Sequence, residues 1–160
     1  MYTRTEDVYQ TPFEKAQTAN QLGGDYFLSF HRNSSAEPNR YSGAETLVYD
    51  RSGKKLELAE AINRELEAAG YQNLGVKERP GLAVLRKTRM PALLIETGFL
   101  NTDADNALFD REFDALAQGI ARGILSASGD ETPPREPEPE GETVGEFFPM
   151  VNSKDLEIIS

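Results

Sequence analysis

The sequence predicts an α/β fold over residues 1–128: a doubly wound, three-layer arrangement with helices on both faces of a central sheet. Three observations carry this. Tyr26–Phe30 is a nearly unbroken apolar run, too short for a helix and set between Gly23-Gly24 and the polar Asn33-Ser34-Ser35. It reads as a strand buried on both faces, as in the middle of a parallel sheet. A second such run, Pro91-Ala92-Leu93-Leu94-Ile95, stops on Glu96. Between them Leu58, Ala59, Ile62, Leu66 and Ala69 recur at three- and four-residue spacings, the pattern of an amphipathic helix, with Gly70 placed to end it.

Taken in order, residues 1–4 read as the end of a strand. Thr11-Pro12 opens a helix near 12–21, because threonine caps well and proline suits the first helical position. Phe13, Ala16, Gln17 and Asn20 fall on one face of it. A strand at 25–31 and a loop at 34–43 follow, then a strand at 44–49 closed by Asp50–Gly53, and the helix at 54–69. Residues 71–81 read as loop, and Leu82–Leu85 as a short strand or extended segment. After the strand at 92–96, Thr102-Asp103-Ala104-Asp105 has the form of a capping box. The closing helix breaks near Asp110 and continues over 112–126, burying Phe113, Leu116, Ala117, Ile120 and Ile124.

Composition narrows the partners. The net charge is −10, which argues against nucleic acid, since phosphate backbones are bound by basic patches. Much of that charge lies in residues 129–160, which hold nine acidic and two basic residues. The Pro/Glu-rich stretch Thr132–Glu140 cannot bury enough apolar surface to order itself, so 130–146 is expected to lack regular structure as an extended linker. The short apolar pieces at 147–151 and 156–159 would dock on something or begin a further module. No run is long enough for membrane insertion, and the N-terminus shows no signal-peptide pattern. The chain has no cysteine, which excludes disulfides and thiolate metal sites.

Chemistry is expected where strands stop. In open α/β sheets, sites gather at the carboxyl ends of strands, and the two apolar runs end on His31, the chain's one histidine, and on Glu96. Each has an ordinary alternative. His31 could finish its strand with a hydrogen bond to backbone, and Glu96 could cap the Thr97-Gly98 turn. As neighbours in one crevice, a histidine that binds metal and a carboxylate that accepts a proton from water are the two halves of zinc hydrolysis.

Several segments, in order, resemble the zinc-dependent N-acetylmuramoyl-L-alanine amidases that cut bacterial peptidoglycan. They are Thr3-Arg4-Thr5 with Asp7, Ala19–Asp25, Ser29-Phe30-His31-Arg32-Asn33, Gly43-Ala44-Glu45, Leu82–Arg86 with Thr88, and Pro91–Asn101, followed by the closing helix. The resemblance implies that His31 is a zinc ligand and that Glu96 is the catalytic base, activating water to attack the amide between N-acetylmuramic acid and L-alanine. Asn33 and Arg86 are candidate substrate contacts, against the plainer roles of a loop hydrogen bond and a surface ion pair. It also implies Zn2+ as cofactor, peptidoglycan as substrate and action outside the membrane, in the cell wall or periplasm.

Two departures from the family pattern stand out. The family's other zinc ligands, a histidine and a glutamate, belong to a strand and helix ahead of the segment matching Met1, so the catalytic domain reads as incomplete at its N-terminus. Arg32 stands where a small residue is usual, and is expected as a cation near the metal. The leading expectation is a peptidoglycan amidase. The alternatives are a non-catalytic remnant that binds peptidoglycan or a partner, and an α/β domain in which His31 and Glu96 are structural.

Overall fold

The computed structural model describes residues 1–129, so the expectations for 130–160 lie outside the described residues. Five helices and four strands follow the order α1 (Pro12–Leu22), β1 (Phe27–Asn33), β2 (Ala44–Val48), α2 (Gly53–Ala68), β3 (Asn73–Glu78), α3 (Ala83–Arg86), β4 (Ala92–Phe99), α4 (Asp103–Arg111) and α5 (Phe113–Ser128). The strands form one sheet ordered β1-β4-β2-β3. β1 runs parallel to β4 and β2 parallel to β3, while β2 and β4 are antiparallel.

Alternation along β4 builds two cores. Leu93 and Ile95 point to one face, where they pack with Val48, Leu58, Ile62, Leu66, Leu116 and Ile120, so α2 and α5 cover that side. Ala92 and Leu94 point to the other, with Phe27, Leu47, Ala19 of α1, and Val84 and Leu85 of α3. The three layers are those the sequence predicts. Leu58, Ile62 and Leu66 are fully buried, each stabilising the fold by roughly 1.5–3 kcal/mol through area removed from water. α5 lies so close to α2 that a Cβ at Gly123 would stand 2.9 Å from Ile62 Cα, which fixes a glycine there.

The helix ends follow the local chemistry. Thr11 caps α1 by accepting from the Glu14 N–H, and Glu14 accepts from the Thr11 N–H in return, a complete capping box. The same expectation fails at Thr102. Its hydroxyl donates instead to the Tyr41 carbonyl, and Asp105 turns away to accept from the Gly43 and Phe99 N–H groups and the Ser42 hydroxyl. The break between α4 and α5 falls at Glu112, close to the expected position.

Four expectations are corrected. β1 is not buried on both faces: it is the edge of the described sheet, and Phe30 is 59% exposed. Residues 1–4 form no strand, because among the described residues no strand runs beside them, and Met1 and Tyr2 are exposed. Within the expected 71–81 loop, 73–78 is β3; its pattern is weak because an edge strand buries little, here Val76. Leu82–Leu85 is not extended; 83–86 is one helical turn that buries Val84 and Leu85. A short apolar run has the same composition in either state, and only packing decides.

Candidate functional site

The sheet register assembles the site. His31 of β1 lies directly opposite Glu96 of β4, and Glu96 lies directly opposite Glu45 of β2. Residues paired across a sheet project to the same face, so the three side chains form a row about 10 Å long, at strand spacings of about 4.8 Å. They share the face covered by α1 and α3. Because β1 and β4 are parallel, the row lies near their carboxyl ends, and at the start of β2.

Beyond the row the β1–β4 register shifts. Asn33 pairs with Phe99, so β4 carries an extra residue between Glu96 and Phe99. Gly98 takes up the bulge with φ +76°, and a Cβ there would come within 2.7 Å of the Tyr71 ring. Bulges of this kind re-aim side chains at the rim of a sheet. Here it coincides with Asn33 meeting the row: the Asn33 Nδ2–H donates to Glu45 Oε1 at 3.0 Å, while Asn33 Oδ1 accepts from the Ser34 N–H at 2.8 Å.

The electrostatics are uneven along the row. Burial, and then the negative charge of Glu45, push the Glu96 carboxyl up to about 7. Glu96 Oε2 is buried with no hydrogen-bond partner among the described residues. Glu45 is only 5% exposed and is neutralised from β3 by an ion pair between its Oε2 and Lys77 Nζ. Burial, and then the charge of Lys15 on α1, hold His31 below the ordinary histidine range, so the ring is neutral at pH 7. Its Nε2 shares a 2.7 Å hydrogen bond with Ser29 Oγ.

Of the sequence candidates, His31, Glu96 and Asn33 are brought together. Arg86 ends α3 on the same face of the sheet, with an exposed side chain. Arg32 is a correction. Alternation sends it to the opposite face from His31, where it donates to the carbonyl oxygens of Thr97 and Phe99 and to Asn106 Oδ1, and lies 4.4 Å from the centroid of the Phe109 ring. It fastens α4 to β4 rather than charging the crevice. Sequence reasoning named Glu45 only within the matching segment Gly43-Ala44-Glu45, with no role, and did not single out Lys77. The available signal was the two-residue spacing of Glu45 from Leu47, which puts a carboxylate on a core-facing row once the register is known.

A zinc ion would need three or four preplaced donors. The chain offers one imidazole and no thiolate, and among the described residues no three His, Cys, Asp or Glu side chains are grouped to hold a metal. By themselves the described residues do not fit a zinc site.

A mixed sheet between helical layers, with an imidazole facing a carboxyl of raised pKa near the ends of two parallel strands, defines an α/β protein with a titratable crevice. Comparison with known proteins then identifies the lineage. Residues 1–126 match the family described as N-acetylmuramoyl-L-alanine amidase, Amidase_3, and the chain belongs to that family. It is 34% identical over 131 residues to the sporulation-specific N-acetylmuramoyl-L-alanine amidase of Bacillus subtilis strain 168, covering 79% of this chain and 49% of that protein. Among solved structures it resembles an N-acetylmuramoyl-L-alanine amidase from Clostridium difficile 630, with TM-score 0.72 and 33% identity, covering 79% of this chain and 69% of that one. The catalytic domain of CwlV, from Bacillus (Paenibacillus) polymyxa var. colistinus, superposes with TM-score 0.71 at 30% identity, covering 81% and 72%. The chain spans about half the length of the curated relatives it matches first.

Proposed function

We propose that this chain is part of a peptidoglycan hydrolase that cleaves the amide between N-acetylmuramic acid and L-alanine, with Glu96 as the general base. The observation that carries this reading is the in-register facing of His31 and Glu96, with Glu96 Oε2 buried and unpartnered and its carboxyl raised to about 7. A carboxylate poised there takes a proton from water readily and returns it to the leaving amine. Asn33, hydrogen-bonded to Glu45 of the row, and Arg86, exposed on the same face, are the proposed substrate contacts.

Zn2+ is the proposed cofactor, with His31 as the one ligand that the described residues supply and the others coming from outside them. When bound, such an ion supplies positive charge to polarise a carbonyl and to acidify water. Action at the cell wall, outside the membrane, goes with this substrate; among the described residues no helix is long and apolar enough to cross a membrane. A second reading, a non-catalytic peptidoglycan-binding fragment, rests on the ligand count alone.

The experiment is hydrolysis of a muramoyl-L-alanine amide by the chain, and by a longer polypeptide supplying an additional histidine and glutamate. Release of L-alanine amine groups that disappears with Glu96→Gln supports the catalytic reading. Binding of the muramoyl peptide without hydrolysis in either form would favour the binding fragment.

A further inference from the structure

We propose that Glu45 is a positioning residue that sets Asn33 to donate a hydrogen bond to the substrate carbonyl beside Glu96; this rests on the amidase reading above. Asn33 is clamped at both ends of its amide. Its Oδ1 accepts the Ser34 N–H, and one Nδ2 hydrogen goes to Glu45 Oε1. A carboxylate can only accept here and a backbone N–H can only donate, so the two partners together fix which way the amide faces. One Nδ2 hydrogen is left, with no partner among the described residues, on a half-buried side chain that projects to the same face as the row. The group presented to a ligand is therefore a donor, suited to the carbonyl oxygen of an amide.

Glu45 performs this task only because it is itself held. At 5% exposure its carboxylate would be costly to bury alone, and Lys77 reaches it from β3 while remaining 42% exposed at its own side chain. Four elements converge on it. β2 carries it, β1 brings Asn33, β3 brings Lys77, and β4 sets Glu96 directly opposite. Lys77 also balances the second negative charge, so that Glu45 can stand next to Glu96 without two uncompensated carboxylates in one crevice.

The test is the side-chain amide of Asn33 in 1H–15N spectra of the 160-residue chain, titrated with muramoyl-L-alanyl-D-isoglutamine. One Nδ2 proton is expected to be shielded from exchange before ligand is added, and the other to shift on titration together with His31 and Ser29. Glu45→Ala should remove that shielding and weaken muramoyl-peptide binding up to about tenfold, the loss of one hydrogen bond to the neutral substrate carbonyl. Glu45→Gln, which keeps an acceptor, should retain most of both, and Asn33→Ala should match Glu45→Ala with no further loss in the double variant. Shielding and affinity unchanged in Glu45→Ala would overturn the proposal. So would ligand shifts at His31 and Ser29 that leave Asn33 unmoved, and these would spare the amidase reading. Absence of ligand shifts at all three residues, in this chain and in the longer polypeptide that supplies the additional histidine and glutamate, would instead sink that reading, and the proposal with it. If Glu45→Ala does not fold, Glu45→Met, of similar size and with no oxygen acceptor, decides the same question through the same shielding and affinity readouts.

Discussion

At the scale of single residues, Glu96 carries the sharpest expectation. Its carboxyl lies near 7 when folded, against 4.5 ordinarily. The folded state therefore holds the proton more tightly than the unfolded state, and stability must fall as pH rises from about 4.5 through 7. In the metal-free chain, Glu96→Gln removes an ionised group that burial disfavours. The variant should be more stable than the parent by about 1–3 kcal/mol at pH 8, and near parity at pH 4. Urea unfolding at the two pH values checks this, and a constant difference between them would contradict it. The same substitution in an active, metal-loaded form should abolish most hydrolysis while leaving metal bound, whereas His31→Ala should lose both, read by metal content beside activity. His31 and Glu96 were legible in the sequence because each ends an apolar run where a polar side chain is out of pattern. Glu45 was not, since a glutamate at the start of a strand looks like a solvated end until the register places it between other strands.

At the scale of elements, local chemistry and tertiary context divide the outcome. α1 is written locally: Thr11, Pro12 and Glu14 specify its start whatever surrounds them. Thr11→Ala should therefore lower stability by about 0.5–2 kcal/mol, seen as a shift in the urea midpoint with an unchanged slope. The Gly98 bulge depends on context. An alanine there would adopt a left-handed conformation and meet Tyr71 and Asp105 at once. Gly98→Ala should cost about 2–3 kcal/mol and, by displacing β4 next to Glu96, should reduce turnover more than a distant substitution of equal cost; stability and rate measured together separate the two. Where the sequence misled, as at β3 and α3, the deciding term was packing: Val76 and Leu85 find their cores through partners far along the chain, which no local pattern contains.

At the scale of the whole molecule, ligand counting governs the metal. With one histidine and no cysteine, the 160-residue chain should bind zinc weakly and cleave peptidoglycan poorly. A longer polypeptide, or a partner chain, that contributes a second histidine and a glutamate should restore both. Competition against a chelator of known affinity settles this, and one tight zinc per short chain would show the count to be wrong. The strand order has its own consequence, in time rather than in chemistry. β2, α2 and β3 are consecutive and pair with one another, so they can form early at low entropic cost. The β1–β4 ladder joins residues more than 60 positions apart, such as Phe27 and Ala92. Closing so long a loop is expected late in folding, and this ladder, at the edge of the described sheet, is expected to open first. The ladder that reopens first is the one that sets His31 against Glu96, so the crevice should come apart while the rest of the domain still holds. Native-state hydrogen exchange would show it: amides of Leu28 and Phe30 exchanging at lower free energy than those of Leu58 and Ile62.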